Sequence, residues 1–173
     1  MAANFQKIEP QRGSIVIEPD VYADSTEQGI VILDDTKDVP QTGTVVTTHK
    51  SSQLKEGDIV CFVKHAGNSV QIKDKDCLLM QEDDILCVIP DDQIYPSPFK
   101  PGVVVKPIKP RDELIVLIKK KEIYTCAIVL KDKTRGELIR VGSYVMYETK
   151  NGNPLPNSEY EYITEPNIVA VSN

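Results

Sequence analysis

An all-β chain built as two small units is what this sequence predicts, and three observations carry the prediction. Short runs of β-branched and other apolar residues recur along the whole chain, bounded by turn residues. Nowhere does the apolar spacing keep a 3.6-residue period over three turns, so no long amphipathic helix is expected. A proline-rich stretch near the middle separates two sets of runs of similar style. Strands at this spacing, without intervening helices, indicate small barrels or sandwiches.

In the first half, Ser14–Ile17, Gly43–Thr48, Asp58–Val63, Asp76–Met80 and Asp84–Ile89 read as strands. In the second, Gly102–Lys106, Tyr124–Leu130, Ser143–Tyr147, Glu159–Ile163 and Asn167–Val171 do the same. Residues 90–101 hold Pro90, Pro96, Pro98 and Pro101. A proline cannot donate a ladder hydrogen bond, and each biases its predecessor toward extended backbone. The domain boundary is placed here, giving units 1–95 and 96–173 joined by a short, stiff linker.

The halves read as a diverged internal repeat. Pro10 stands five residues before Ile15-Val16-Ile17, and Pro98 stands five before Val103-Val104-Val105. Glu56-Gly57-Asp58-Ile59-Val60 matches Val141-Gly142-Ser143-Tyr144-Val145. Asp84-Ile85-Leu86-Cys87-Val88 matches Asn167-Ile168-Val169-Ala170-Val171. Gly57 and Gly142 suit a tight turn with positive φ, which a residue without Cβ adopts most easily.

Charge and cysteine usage narrow the function classes. The net charge of −6 is uneven: residues 1–95 carry 8 Lys and Arg against 17 Asp and Glu, residues 96–173 carry 12 against 9. The basic half has no aromatic-interleaved basic patch, so no nucleic-acid partner is expected. No apolar run approaches the roughly 18–20 residues of a membrane helix, and no membrane partner is expected. The N-terminus, Met1 to Lys7, lacks the basic segment and apolar core of a secretory signal. Cys61, Cys77, Cys87 and Cys126 sit among apolar neighbours without CxxC spacing and read as buried free thiols in a reducing compartment. Neither they nor His49 and His65 have metal-ligand spacing. No glycine-rich nucleotide turn and no Ser/His/Asp or Cys/His constellation stands out, so neither an enzyme nor a cofactor is expected.

Between Ile17 and Gly43 the pattern changes. An acidic, polar stretch, Glu18 to Gln28, leads into Gly29-Ile30-Val31-Ile32-Leu33, followed by the polar Asp34 to Asp38. The residues leave two readings open. The run is a buried strand with ordinary loops on either side, or it is the apolar tip of a long docking loop spanning about residues 18–41. Loops beyond about 12–15 residues without structure of their own are usually functional or disordered. The second half has its own candidate, Pro107 to Lys121, containing Ile115-Val116-Leu117. There Leu114 and Ile118 continue the apolar run, which favours an ordinary strand.

The first half resembles the GroES-type co-chaperonins over nearly its whole length. Ile8-Glu9-Pro10 and Ile15-Val16-Ile17-Glu18 are similar to that family's N-terminal signature. Gly29-Ile30-Val31-Ile32 resembles its Gly-Ile-Val-Leu loop tip. Thr42-Gly43-Thr44-Val45-Val46, Leu54-Lys55-Glu56-Gly57-Asp58-Ile59-Val60 and Glu82-Asp83-Asp84-Ile85-Leu86-Cys87-Val88-Ile89 resemble its later segments, in order and at family spacing. Gln11, Gly13, Ser14 and Gln28 depart from the signature. Thr47 to Gln53 is too short for the roof hairpin that bacterial members carry.

The resemblance implies two tandem GroES-like small β-barrels, the first with a mobile loop and neither with a large roof hairpin. It implies a co-chaperonin: a homo-oligomer arranged as a ring, capping a GroEL-type chaperonin through Gly29, Ile30, Val31, Ile32 and Leu33. Ile115, Val116 and Leu117 form a possible second loop. ATP belongs to the chaperonin, and the chain needs no cofactor of its own. The short roof and diverged signature resemble phage-encoded members, and the tandem arrangement resembles the double co-chaperonin of chloroplasts. The implied location is the cytoplasm (the host's if phage-encoded), or an organelle stroma if a transit peptide has been removed. A virion or assembly structural protein that reuses a GroES-like fold is the alternative.

Overall fold

The computed structural model describes residues 4–5, 8–20, 41–108, 124–135 and 138–172, with backbone alone at Asn4, Phe5 and Tyr124. The described chain is all-β, with a few single 3-10 turns. Fourteen strands follow in order: β1 (Asn4–Phe5), β2 (Ser14–Pro19), β3 (Thr42–Thr48), β4 (Ile59–Phe62), β5 (Asn68–Ile72), β6 (Lys75–Gln81), β7 (Ile85–Val88), β8 (Tyr95–Pro96), β9 (Gly102–Pro107), β10 (Tyr124–Asp132), β11 (Tyr144–Glu148), β12 (Asn153–Pro154), β13 (Glu161–Thr164) and β14 (Ile168–Ser172). All ten strands expected from sequence are among them. The remaining four, β1, β5, β8 and β12, are short or polar.

Two sheets result. The first runs β1-β5-β6-β2-β3-β4-β7-β8 and the second β12-β13-β9-β10-β11-β14. Six consecutive places correspond: β5-β6-β2-β3-β4-β7 has the same order as β12-β13-β9-β10-β11-β14. The likeness extends to irregularities. The β2–β3 register slips between Val16 and Ile17, leaving Val46 as an extra residue. The β9–β10 register slips between Val129 and Lys131, leaving Leu130 extra at the matching place. A bulge of this kind bends its strand and raises the local twist, so the two sheets share their shape-setting defect. A 3-10 turn precedes the last strand of each, Glu82–Asp84 before β7 and Glu165–Asn167 before β14. The internal repeat read from sequence is therefore a repeat of topology.

The chain forms two compact units, Met1–Ile85 and Leu86–Asn173, divided within β7. In the first, Val16, Ile72 and Cys77 form a buried cluster with Ile8, Val46, Val70 and Leu79 packed on it. In the second, Val103, Val105, Ala127, Val129, Val145, Tyr147 and Ile163 are buried together. Burying one such aliphatic side chain contributes about 1.5–3 kcal/mol. Tyr147 takes its hydroxyl into the core with a partner, donating to Glu161 Oε2 at 2.6 Å.

Residues 49–58, between β3 and β4, hold turns and no strand, so the roof hairpin is absent as the sequence implies. The cysteine expectation needs one correction. Cys61, Cys77 and Cys87 are buried free thiols, but Cys126 is exposed. In β10 the inward places go to Ala127 and Val129, and strand alternation turns Cys126 to the other side. Among the described residues, no helix is long and apolar enough to cross a membrane. Nor does any group of three His, Cys, Asp or Glu there suit a metal ion.

Candidate functional site

Gly29, Ile30, Val31, Ile32 and Leu33 lie outside the described residues, and so do Ile115, Val116 and Leu117. What the structure gives is the frame from which both segments depart. The first, residues 21–40, spans from the end of β2 to the start of β3. Its base is closed by the Asp20 amide, which donates to the Thr42 carbonyl at 2.9 Å. The Thr42 hydroxyl donates to Asp20 Oδ2, adding a side-chain clamp across the same two residues. One step further along, the Phe62 amide donates to the Gln41 carbonyl at 2.9 Å and ties the returning chain to β4.

Gly43 lies at a tight point of this closure. A Cβ there would stand 2.5 Å from the Glu18 carbonyl oxygen and 2.9 Å from Pro19 Cα, inside any tolerable contact. The base therefore needs a glycine for close backbone approach rather than for an unusual torsion. Charge gathers beside it. Lys75 Nζ reaches both Glu18 oxygens, at 3.0 and 2.8 Å, and that hydrogen bond and charge raise the lysine pKa. Burial pushes the Cys61 thiol up to about 12, with the Asp20 charge adding to it, so this thiol is not a nucleophile at neutral pH.

The second segment, residues 109–123, departs from the equivalent place between β9 and β10. There the Ile108 amide donates to the Cys126 carbonyl at 2.9 Å. By ladder position Ile108 corresponds to Asp20, Cys126 to Thr42 and Ala127 to Gly43. The backbone closure is kept. The side-chain clamp is not, because an isoleucine and a cysteine replace the aspartate and threonine. Sequence reasoning located both segments but did not single out Asp20, Thr42 and Gly43 as the base. The available signal was the short glycine-containing run Thr42-Gly43-Thr44 opposite Glu18-Pro19-Asp20.

These features define a class of small β-sheet protein that holds a long inter-strand segment by a closed, two-point base. The chain belongs to the Chaperonin 10 Kd subunit family, whose model matches residues 7–89. It is 35% identical over 96 residues to the Co-chaperonin GroES of Rhodothermus marinus, covering 96% of that relative and 50% of this chain. It is 38% identical over 96 residues to the Co-chaperonin GroES of Aquifex aeolicus, covering 79% of that relative and 49% of this chain. With Co-chaperonin GroES 2 of Rhodopirellula baltica it shares 36% over 92 residues, covering 99% of the relative and 47% of this chain. The family match ends at residue 89, yet the second sheet repeats the strand order of the matched one.

Proposed function

We propose that this chain is a co-chaperonin: several copies assemble as a ring and cap a GroEL-type chaperonin by inserting the Gly29–Leu33 segments of their first units into it. The observation that carries the reading is family membership over residues 7–89 combined with a 20-residue span, 21–40, held between two adjacent strands by a closed base. The chain performs no bond chemistry in this role. The chaperonin binds and hydrolyses the ATP.

The magnitudes suit a reversible cap. Burying Ile30, Val31 and Ile32 contributes roughly 1.5–3 kcal/mol each. Ordering the segment costs about 1–2 kcal/mol per residue fixed. One segment is near break-even, so useful affinity requires several presented together. The acidic residues on either side, Asp24, Glu27, Asp34 and Asp35, add salt-dependent steering toward a basic rim. The second unit acts mainly as a spacer or adaptor, since the base of its segment lacks the Asp20–Thr42 clamp and Ile115-Val116-Leu117 is continuous with further apolar residues.

The test is Ile30→Asp in the full chain. ATP-dependent complex formation with a GroEL-type chaperonin should be lost, with circular dichroism and melting unchanged. Undiminished complex formation by this variant refutes the reading.

A further inference from the structure

Asn151 alone among the asparagines of the sequence stands before a glycine. Asparagine is thermally labile because the backbone nitrogen of the next residue can attack its side-chain amide carbon. A side chain on that next residue obstructs the attack, and glycine has none.

The pair lies in the connection between β11 and β12. Asn151 ends the 3-10 turn Thr149–Asn151, and Gly152 follows with φ −70° and ψ 129°. Any residue adopts such torsions, so the backbone does not call for glycine here. Glu161 does. A Cβ at position 152 would strike Glu161 Oε2 and stand 3.2 Å from Tyr147 Cε2. That carboxylate oxygen accepts the Tyr147 hydroxyl at 2.6 Å, and Tyr147 is wholly buried. A side chain at 152 would push Glu161 off the phenol and leave a buried hydroxyl without its acceptor. Packing of the core thus keeps glycine after Asn151, and the labile pair comes with it.

Asn151 itself is loosely held. It is half-buried, and its side chain makes no hydrogen bond among the described residues. Asn153 Nδ2, in contrast, donates to the Tyr162 carbonyl at 3.2 Å, and Asn167 Nδ2 donates to Thr164 Oγ1 at 2.7 Å. The Gly152 amide donates to the Thr149 carbonyl at 3.3 Å, beyond the usual N–H···O range. A single turn closed by one long bond opens readily without unfolding the rest.

We infer that Asn151-Gly152 is a self-modification site, where the Gly152 nitrogen attacks the Asn151 side chain and converts it to aspartate and isoaspartate. The nitrogen gives its proton to hydroxide and forms a bond to Asn151 Cγ. The carbon–nitrogen bond of the side-chain amide breaks, and ammonia leaves with a proton taken from water. Water then opens the five-membered imide at either carbonyl. One opening restores the main chain and leaves aspartate. The other routes the main chain through Cγ and leaves isoaspartate. Nothing is oxidised or reduced. Isoaspartate lengthens the backbone by one atom. The Asn151 main-chain carbonyl, which accepts from Asn153 Nδ2 at 3.3 Å, becomes part of a side carboxylate. Gly152 moves relative to Glu161, and the buried bond to Tyr147 is disturbed. The chemistry needs no partner, so it holds whether or not the chain caps a chaperonin.

The test ages the full chain in mildly alkaline buffer and maps its peptides by mass spectrometry, with fragmentation that separates aspartate from isoaspartate. The Asn151 peptide should gain one mass unit and give both products, at a rate that rises in proportion to hydroxide. Peptides holding Asn68 and Asn157, each followed by serine, should convert far more slowly. Aged wild type should show a lower urea midpoint than fresh wild type, and Asn151→Gln should show no such loss on ageing. An Asn151 peptide that stays unconverted, or conversion at Asn68 or Asn157 as fast as at Asn151, overturns the inference. Converted wild type with the urea midpoint of fresh protein overturns the coupling to Glu161 and Tyr147.

Discussion

Gly57 and Gly142 hold one backbone geometry at two places in the chain. Each has φ 92°, and each donates its amide to the valine that it faces, Gly57 to the Val45 carbonyl at 2.9 Å and Gly142 to the Val129 carbonyl at 2.8 Å. The return bonds match as well, Val45 to Asp58 and Val129 to Ser143, both at 2.9 Å. A Cβ at either glycine would meet nothing within 4 Å, so the torsion alone demands glycine. Gly57→Ala and Gly142→Ala should therefore each cost about 1–2 kcal/mol, by similar amounts, in urea unfolding. An alanine variant as stable as wild type at either position contradicts this account.

Much of this architecture was legible because it is written in alternation and in glycine. The runs around Ile15–Ile17 and Val103–Val105 are apolar at every place because both faces are covered, and the Gly57 and Gly142 turns announce the strands after them. The strands missed were those without such marks. β12 is only Asn153–Pro154, and β8 lies inside the proline-rich stretch read as linker. β5 is polar at most of its places, Asn68-Ser69-Val70-Gln71-Ile72, because much of it faces solvent. At the candidate site, the apolar segment was legible from composition. Its base was not, since the Asp20–Thr42 clamp joins residues 22 apart and only the fold makes them neighbours.

The β5–β6 hairpin shows why turn chemistry can be silent. Its two-residue loop, Lys73-Asp74, has φ 48° and 65°, the pair of positive values a type I′ turn requires. The dipeptide is neither Asn-Gly nor Asp-Gly, the pairs that favour those torsions, so no hairpin signal stands in the sequence. Lys73→Asn with Asp74→Gly should relieve the strain and raise stability by about 0.5–2 kcal/mol in urea unfolding, with the spectrum of the fold unchanged. No gain, or a loss, would mean that the turn is held in a geometry other than the one described.

Alkaline pH should destabilise the chain through its buried thiols. Burial, helped by the Asp20 charge, raises Cys61 from 9.0 to about 12, and burial is the main cause raising Cys77. Above pH 9 the unfolded chain releases thiol protons that the folded chain keeps. The unfolded state then binds fewer protons, so stability falls as pH rises, for Cys61 until about 12. One fully retained proton corresponds to about 1.4 kcal/mol per pH unit. Burial also holds the Tyr147 and Tyr162 phenols above their ordinary value of 10, so the thiol effect is cleanest below that. The urea midpoint should drop from about pH 8.5 to about pH 10, and Cys61→Ala should flatten that slope even if it lowers the midpoint throughout. A slope unchanged by Cys61→Ala would assign the effect to other groups.

The two copies carry one ion pair with opposite polarity. Glu18, near the end of β2, binds Lys75 at the start of β6. Lys106, at the matching place in β9, binds Glu159 just before β13. The four side chains are 41–63% exposed, so the attraction itself is screened and small. Its value lies in what it opposes: with β2 in the place of β9, Glu18 would face Glu159, and with β9 in the place of β2, Lys106 would face Lys75. Two sheets of identical strand order in one chain can exchange strands, and reversed charges at matching ends penalise that exchange. Lys75→Glu should therefore lower the urea midpoint slightly at low salt and hardly at all at high salt, and adding Glu18→Lys should restore it. The restored pair has the polarity of the second copy, so this double variant should refold from urea with more misassembled or aggregated chain than wild type at the same concentration. Equal refolding yields would leave the reversal without a sorting role.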